Sequence, residues 1–147
     1  MSARPWGLDS LPETLLALDQ TFEGFLGLEW HELTDHSVRV SFQVRDNLKQ
    51  PLGLLHGGIY SAVAETMASV ATVRVVWRDG LIGSGLSNSA SFLRPITAGT
   101  VHVTARCRHH DDREWLWSHE FRDDQERLCA LVDVTIAVRA PRATSPT

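Results

Sequence analysis

The sequence predicts an α+β fold in which an antiparallel sheet of five or six strands wraps around one long central helix. Residues 58–78 are mostly small or apolar, and a helix that is apolar nearly all round belongs in the middle of a domain. Segments in which polar and apolar residues alternate lie before and after this stretch. The links between these segments have hairpin length, which indicates antiparallel pairing.

The region before the central helix predicts a short helix and a hairpin. Ser10, Pro12 and Glu13 form a helix-start signature, and the leucines that follow predict a short amphipathic helix that ends near Thr21. Turn residues and alternation then divide the chain into a turn over 22–27, strands over 28–33 and 38–44, and a loop over 46–55.

The region after the central helix predicts the rest of the sheet. Asp79 and Gly80 end the helix. Four strand candidates follow, over 83–93, 100–109, 114–122 and 128–139, with hairpin turns over 109–113 and 123–126. We therefore expect one domain over residues 1–147, with loose termini over 1–9 and 140–147.

Composition narrows the class of protein. The 147 residues suffice for one domain with a sizeable core, and a net charge of −4 without a basic block argues against a nucleic-acid partner. The chain start lacks the apolar segment of a signal peptide, and no apolar run approaches the length of a membrane span, so we expect a cytoplasmic protein without a membrane partner. Cys107 and Cys129 fit neither a zinc pattern nor a disulfide framework and are expected to be buried free thiols. No metal and no cofactor is expected.

Glu65 is the only acidic or basic residue, histidine aside, between His56 and Val73. Burying a lone carboxylate in apolar surroundings is costly unless something stabilises it. A helix that only filled a core would more easily carry alanine or leucine at this position, which favours a catalytic carboxylate. Two alternatives stay open: a helix face that reaches water, or a pairing of Glu65 with an arginine elsewhere.

The start of the central helix is the second chemical feature. Backbone N–H groups at a helix start are unpaired and carry the positive end of the helix dipole. Gly57 and Gly58 let a ligand approach this backbone closely. Together with Gln50 and His56, they predict a site for an oxyanion or a carbonyl oxygen, with simple capping or packing of the helix by the glycines as the alternative.

The spacing of these two features predicts a dimer. Glu65 lies eight residues beyond Gly57, or about 12 Å along a helix, so one carbonyl cannot touch both groups of one chain. If both groups act on one substrate, Glu65 must come from a second subunit. The strand over 83–92 is built of small residues, would be an exposed edge if unpaired, and is a candidate to pair with the same strand of a partner.

These residues resemble a known active-site signature. The run Gln50-x5-His56-Gly57-Gly58-x6-Glu65-x3-Ser69 is similar to that of hotdog-fold acyl-CoA thioesterases. The branch contains phenylacetate-pathway enzymes, 4-hydroxybenzoyl-CoA thioesterases with a helix glutamate, and dihydroxynaphthoyl-CoA hydrolases of menaquinone synthesis. Residues similar to those of the menaquinone and enterobactin-proofreading thioesterases extend the resemblance over about residues 20–139, at Gly85, Leu86, Arg94, Gly99, His109, Trp117 and residues 127–129.

The resemblance implies that the chain hydrolyses a small, aromatic acyl-CoA. The Gly57 N–H would polarise the thioester carbonyl, while Gln50 and His56 would position the thioester or the attacking water. Glu65 of a neighbouring subunit would be the nucleophile or the general base, and Ser69, one turn further on the same face, would hydrogen-bond to the carboxylate, a water or the acyl group. The alternatives are a capping role for His56, a packing role for Ser69 and a plain loop role for Gln50. The branch also implies a homotetramer made of two dimers.

The resemblance places coenzyme A along the subunit interface. The substrate-binding residues that it implies are Gly85, Phe92, Leu93, Arg94, His109 and Arg113. The sequence departs from the family at Phe92, where close relatives often carry histidine, and at Asp111 and Asp112, whose charges would repel phosphates. Either Arg94 and Arg113 contribute more to nucleotide binding, or the nucleotide lies elsewhere and the hairpin over 109–113 is only a solvated turn. A metal site over 109–112 is disfavoured because adjacent residues on a turn seldom converge on one ion.

Other classes of function fit less well. The sequence has no G-x-S-x-G elbow, and the glycines at 83 and 85 are too little for a dinucleotide site. A dehydratase of the same fold is disfavoured, because the chemistry of that class resembles arrangements of a histidine and an acid at a different spacing. The alternatives that remain are a non-catalytic acyl-CoA-binding hotdog protein and an acyl-carrier-protein thioesterase.

Overall fold

The computed structural model describes residues 16–142 and confirms the predicted architecture. A six-stranded antiparallel sheet with the order β1-β2-β4-β5-β6-β3 curves around one long helix. The helices are α1 (Phe22–Leu26) and α2 (Gly57–Val76), and the strands are β1 (Glu29–Leu33), β2 (Ser37–Gln43), β3 (Ile82–Phe92), β4 (Thr100–His110), β5 (Glu114–Arg122) and β6 (Leu128–Arg139).

Helix α2 is enclosed because small and apolar side chains cover most of its surface. Val63, Ala64 and Met67 have no exposed surface, and they pack with inward-facing residues of the sheet in one core. Trp117 of β5 faces this helix, and its indole N–H donates a 3.0 Å hydrogen bond to the Thr72 hydroxyl. The packing of α2 against the inner face of the sheet fixes the position of the helix relative to the strands.

The expectation that no apolar run approaches the length of a membrane span is wrong. The segment Gly57–Asp79 comprises 23 residues and is long and apolar enough to span a membrane by length and composition. It is the core helix of this fold, and 61% of its apolar window is buried inside the protein. Length and apolarity are therefore explained by the surrounding sheet.

The segment expected as a turn over 22–27 contains the short helix α1. The Gly24 N–H donates a 3.3 Å hydrogen bond to the Thr21 hydroxyl, and Gly27 ends the helix in the left-handed conformation at φ 67°. The predicted helix from Ser10 to Thr21 falls largely outside the described residues. Its described part contains a single 3-10 turn, Leu18–Gln20.

Strand β3 forms one edge of the sheet within the described chain. It pairs antiparallel with β6, and a bulge at Leu86 shifts the register between Gly85 and Ser87. Most of its residues are small and exposed. The prediction of an exposed edge strand is confirmed, while its pairing with a second copy stays a prediction.

The cysteines match their expectation in part. Both are free thiols, and Cys129 is buried in the core. Cys107 is only half-buried, because it lies beside the irregularity near the end of β4 where the register with β5 shifts.

Candidate active site

His56 caps the start of α2. Its Nδ1 accepts a 2.9 Å hydrogen bond from the Gly58 N–H, and its backbone is extended, as an N-cap requires. Because Nδ1 is the acceptor, the neutral ring carries its proton on Nε2. The capping alternative is thus correct for one nitrogen, and the exposed ring retains a donor for a ligand on the other.

The Gly57 N–H is left without an acceptor in the described chain, since His56 engages the next amide instead. It lies in the first turn of a twenty-residue helix, where the dipole favours negative charge. The Phe92 ring lies directly over Gly57, so that a Cβ at this position would come within 3.0 Å of Cζ. The absence of a side chain at Gly57 therefore lets the Phe92 ring pack beside the unpaired Gly57 N–H.

The loop before the helix folds back on itself and fixes Gln50. The Gln50 N–H donates to the Leu54 carbonyl over 2.8 Å, and the His56 N–H donates to the Leu48 carbonyl over 2.9 Å. The Gln50 side-chain oxygen accepts a hydrogen bond from the Leu52 N–H. Its amide NH2 donates to no described residue and can donate to a ligand.

Glu65 is exposed in the single chain, which matches the alternative of a helix face that reaches water and differs from the expectation of an enclosed carboxylate. The carboxylate lies against β3, and a Cβ on Gly85 would be 3.4 Å from Oε1. Glu65 is exposed because β3, the strand beside it, consists mostly of small residues and is the edge of the sheet among residues 16–142. Within residues 16–142 Glu65 forms no ion pair, so the arginine alternative is wrong for the described chain.

Glu23 of α1 is a second acidic residue in this region that the sequence analysis missed. Burial, and after it the charge of Glu65, raises the pKa of the Glu23 carboxyl above its ordinary value. Glu23 lies in the segment that was expected to be a turn, more than forty positions before Glu65 in the sequence. No sequence pattern links the two residues, because only the folding of α1 onto α2 brings them together.

Ser69 lies one turn beyond Glu65 and is half-buried. Its hydroxyl has no hydrogen-bond partner in the described chain. The Ser69 hydroxyl is therefore available to a ligand, which a purely packing role for Ser69 would not require.

The residues expected to bind coenzyme A lie at two separate ends of one chain. Phe92 pairs with Ala130, and the two residues that follow it, Leu93 and Arg94, both donate their N–H groups to the Cys129 carbonyl. Arg113 lies at the other end of β6, where its carbonyl accepts from the Val138 N–H over 2.7 Å.

The two ends of β6, beside Phe92 and beside Arg113, are about 25 Å apart along the strand, so a single chain does not bring Phe92 and Arg113 together. His109 lies on the same hairpin as Arg113, with its Nε2 3.8 Å from the Asp111 carboxylate. Hydrogen bonds from the backbone of Arg113 and Glu114 lower the pKa of Asp111, which remains ionised at neutral pH. The ionised Asp111 carboxylate is therefore a group of this hairpin that can repel phosphates, as the sequence predicts.

Comparisons with known proteins identify the family of this chain. The family model of the thioesterase superfamily matches residues 52–130. The proofreading thioesterase EntH of Cronobacter turicensis is 34% identical over 129 residues, covering 85% of this chain and 93% of that protein. The 1,4-dihydroxy-2-naphthoyl-CoA hydrolase of Escherichia coli is 31% identical over 129 residues, covering 85% and 94%. The structure of a mutant thioesterase from Pseudomonas aeruginosa superposes with a TM-score of 0.77 at 28% identity, covering 82% and 86%.

Proposed function

The chain belongs to the thioesterase superfamily and is a thioester hydrolase, and from this premise we propose that it hydrolyses a small acyl-CoA at a site shared by two copies of the chain. In this proposal Glu65 of one copy attacks, or activates water against, a thioester that the helix start of the other copy holds. The acyl group is proposed to be aromatic, in keeping with the aromatic group in the name of the Escherichia coli relative.

One observation carries this proposal. Within one chain, the free Gly57 amide lies under Phe92 while the Glu65 carboxylate lies against Gly85, and these two strand positions are seven residues apart on β3. The two strand positions are about 20 Å apart along β3, and Gly57 and Glu65 are about 12 Å apart along α2, so one thioester cannot contact both groups. The two halves of the chemistry are therefore separated in each chain.

A second copy paired through β3 resolves this separation. An antiparallel pair with its two-fold axis near Ser89 sets Phe92 of one copy opposite the bulge at Leu86 of the other. Glu65 of the partner subunit, which lies beside Gly85, then approaches the free Gly57 amide. The same pairing covers the exposed edge and removes water from the exposed carboxylate. Two identical sites result in each dimer.

The residues of the site then have distinct roles. The Gly57 N–H and the helix dipole stabilise the negative charge that develops on the carbonyl oxygen. The free donors of Gln50 and of His56 Nε2 orient the thioester or the water. Glu65 either takes the proton of an attacking water, or bonds to the carbonyl carbon and forms an anhydride that water then hydrolyses. In both routes the C–S bond breaks, the acyl group is released as the carboxylic acid, and the coenzyme A thiolate takes up a proton. The Ser69 hydroxyl holds the carboxylate or the water in place.

The shared site also brings together the two ends that bind coenzyme A. The antiparallel pair places Phe92, Leu93 and Arg94 of one copy near the hairpin of His109 and Arg113 of the other. Arg94 and Arg113 are exposed and able to face the nucleotide phosphates. We place the reaction in the cytoplasm, in keeping with two free thiols, and a pair of such dimers makes the proposed homotetramer.

A panel of aromatic, short-chain and long-chain acyl-CoAs tests the proposal. Release of free thiol is measured for the wild type, for Glu65→Gln and for Glu29→Gln, which removes an exposed carboxylate from β1 as a matched control. We expect Glu65→Gln to lower kcat by about 100-fold or more with the oligomer intact, while the control stays near wild type. Near-normal turnover by Glu65→Gln would contradict the assigned role of Glu65. Binding of acyl-CoA by the wild type without any turnover would favour the non-catalytic alternative.

A further inference from the structure

A cavity of about 90 Å³ lies between α1, the start of β1 and α2. Its walls include Leu28 and Trp30 on the sheet side, the glycines of and after α1, and the half-buried Glu23. Thr66 closes it on the α2 side and is the residue that follows Glu65. The cavity is thus apolar on most sides, with one carboxyl in its wall.

The position of the cavity fits the acyl end of a substrate. A carbonyl carbon under attack by Glu65 must lie within about 3 Å of that carboxylate. Its sulfur leads toward the helix start and coenzyme A, so the acyl group extends the other way. Thr66, which follows Glu65 on α2, lines the cavity, and Glu23 in the cavity wall lies close enough for the charge of Glu65 to act on its carboxyl. The cavity is therefore our candidate space for an acyl group that extends from Glu65.

We propose that this cavity receives the acyl group and that Glu23 is a specificity-determining residue, which rejects acyl groups ending in a carboxylate and accepts neutral ends that donate a hydrogen bond. The inference rests on the proposed function, since it assumes that the thioester lies at Glu65. It adds the charge class of the acyl group, which the site residues themselves do not define.

Electrostatics explains the selection. An anionic acyl end in the cavity would lie beside Glu23, whose carboxyl already feels the charge of Glu65, and the mostly apolar walls would give that anion little solvation. Like charges at such distances repel strongly where water is scarce. A hydroxyl or amino group would instead donate to Glu23, whose carboxylate is a strong acceptor.

The fold holds Glu23 in position. The Arg45 guanidinium donates to the Phe25 carbonyl at the end of α1 and lies 5.3 Å from the centre of the Phe25 ring. Thr21 caps the other end of this helix. Helix α1 is therefore fixed at both ends, and the Glu23 side chain faces the cavity from a defined backbone.

Matched acyl-CoA series test the inference. One series has a five-carbon skeleton (valeryl, 5-hydroxyvaleryl and glutaryl), and the other has a benzoyl skeleton (benzoyl, 4-hydroxybenzoyl and 4-carboxybenzoyl). We measure kcat/KM for the wild type, Glu23→Gln, Glu23→Leu and the control Glu29→Gln. Comparing the same substrate between variants removes differences in intrinsic thioester reactivity.

In the wild type we expect the carboxylate-bearing member of each series to be the poorest substrate. Glu23→Gln should raise its kcat/KM by about tenfold or more relative to the unsubstituted member, whereas Glu29→Gln should leave the ratio unchanged. Glu23→Leu should abolish any preference for the hydroxyl-bearing member. Rescue of that preference by Glu23→Asp would separate recognition from folding.

Unchanged ratios in Glu23→Gln, with hydrolysis still dependent on Glu65, would overturn the role of Glu23 and leave the proposed function in place. Absence of hydrolysis of both series by the wild type would overturn the proposed substrate class and this inference with it.

Discussion

Replacing His119 removes a titratable group from the middle of the core. The His119 side chain is 1% exposed, its Nδ1–H donates to the Val132 carbonyl over 3.0 Å, and its Nε2 has no hydrogen-bond partner among the described residues. Burial lowers the pKa of His119 from 6.5 to about 4, because the charged ring cannot be solvated inside the sheet. The folded protein therefore binds this proton more weakly than the unfolded chain does.

The direction and size of the effect follow from this difference. His119 contributes its full stability above pH 6.5, and the contribution is lost as the pH falls from 6.5 toward 4, because the unfolded chain takes up the proton first. The whole shift corresponds to about 3 kcal/mol, of which about 2 kcal/mol is already lost at pH 5. We expect the wild type to lose about 2 kcal/mol more than His119→Leu between pH 7.5 and pH 5.

Urea unfolding at the two pH values measures this difference. The protein concentration is held constant, because the stability of an oligomer depends on it. Carboxylates titrate alike in both proteins and cancel in the comparison. His119→Gln serves as a second variant in case leucine disturbs the packing. An equal loss of stability in the wild type and both variants would refute the assignment of a neutral, buried His119.

Three further substitutions test the packing around the site. Trp117→Phe should cost about 1–3 kcal/mol in urea unfolding, because it leaves the buried Thr72 hydroxyl without its donor. Gly57→Val should lower kcat by about tenfold or more with the fold retained, since its Cβ would lie 3.0 Å from the Phe92 ring and force that wall to move; an unchanged kcat would argue against this wall. Gly85→Val should lower kcat similarly by displacing the carboxylate of Glu65, and unchanged kinetics would place that carboxylate elsewhere in the active state.

The strands and the central helix were predictable because their signals are local. Four strand candidates after the helix match β3 to β6 within one residue at each end, since alternation and hairpin turns mark them directly. The edge position of β3 was predictable as well, because a strand of glycines and serines has little to bury.

The region around α1 was not predictable for physical reasons. A five-residue helix that contains Gly24 has almost no intrinsic stability, and it forms here because Thr21 caps it and Arg45 holds its end. Glu23 could not be assigned because its proximity to Glu65 depends on that packing.

In the proposed dimer the surroundings of the Glu65 carboxylate depend on more than one chain. An acidic residue in an apolar helix predicts a functional group, yet the single chain leaves Glu65 exposed beside Gly85. In the described chain Gln50, His56 and Ser69 each keep a donor or hydroxyl without a partner near the helix, and their roles in a site stay predictions. The sequence indicates that two copies share the proposed site only through the spacing of Gly57 and Glu65 along the helix.

Complementation between two variants with impaired turnover tests the shared site most directly. Glu65→Gln and Gly57→Val chains with different affinity tags are co-expressed, and the mixed assembly is isolated by both tags. One site of each mixed dimer then combines an intact helix start with an intact Glu65 from the other chain. We expect the mixed dimer to regain about half of the wild-type turnover per dimer. Turnover no higher than that of the two parent variants would contradict a site built from both copies.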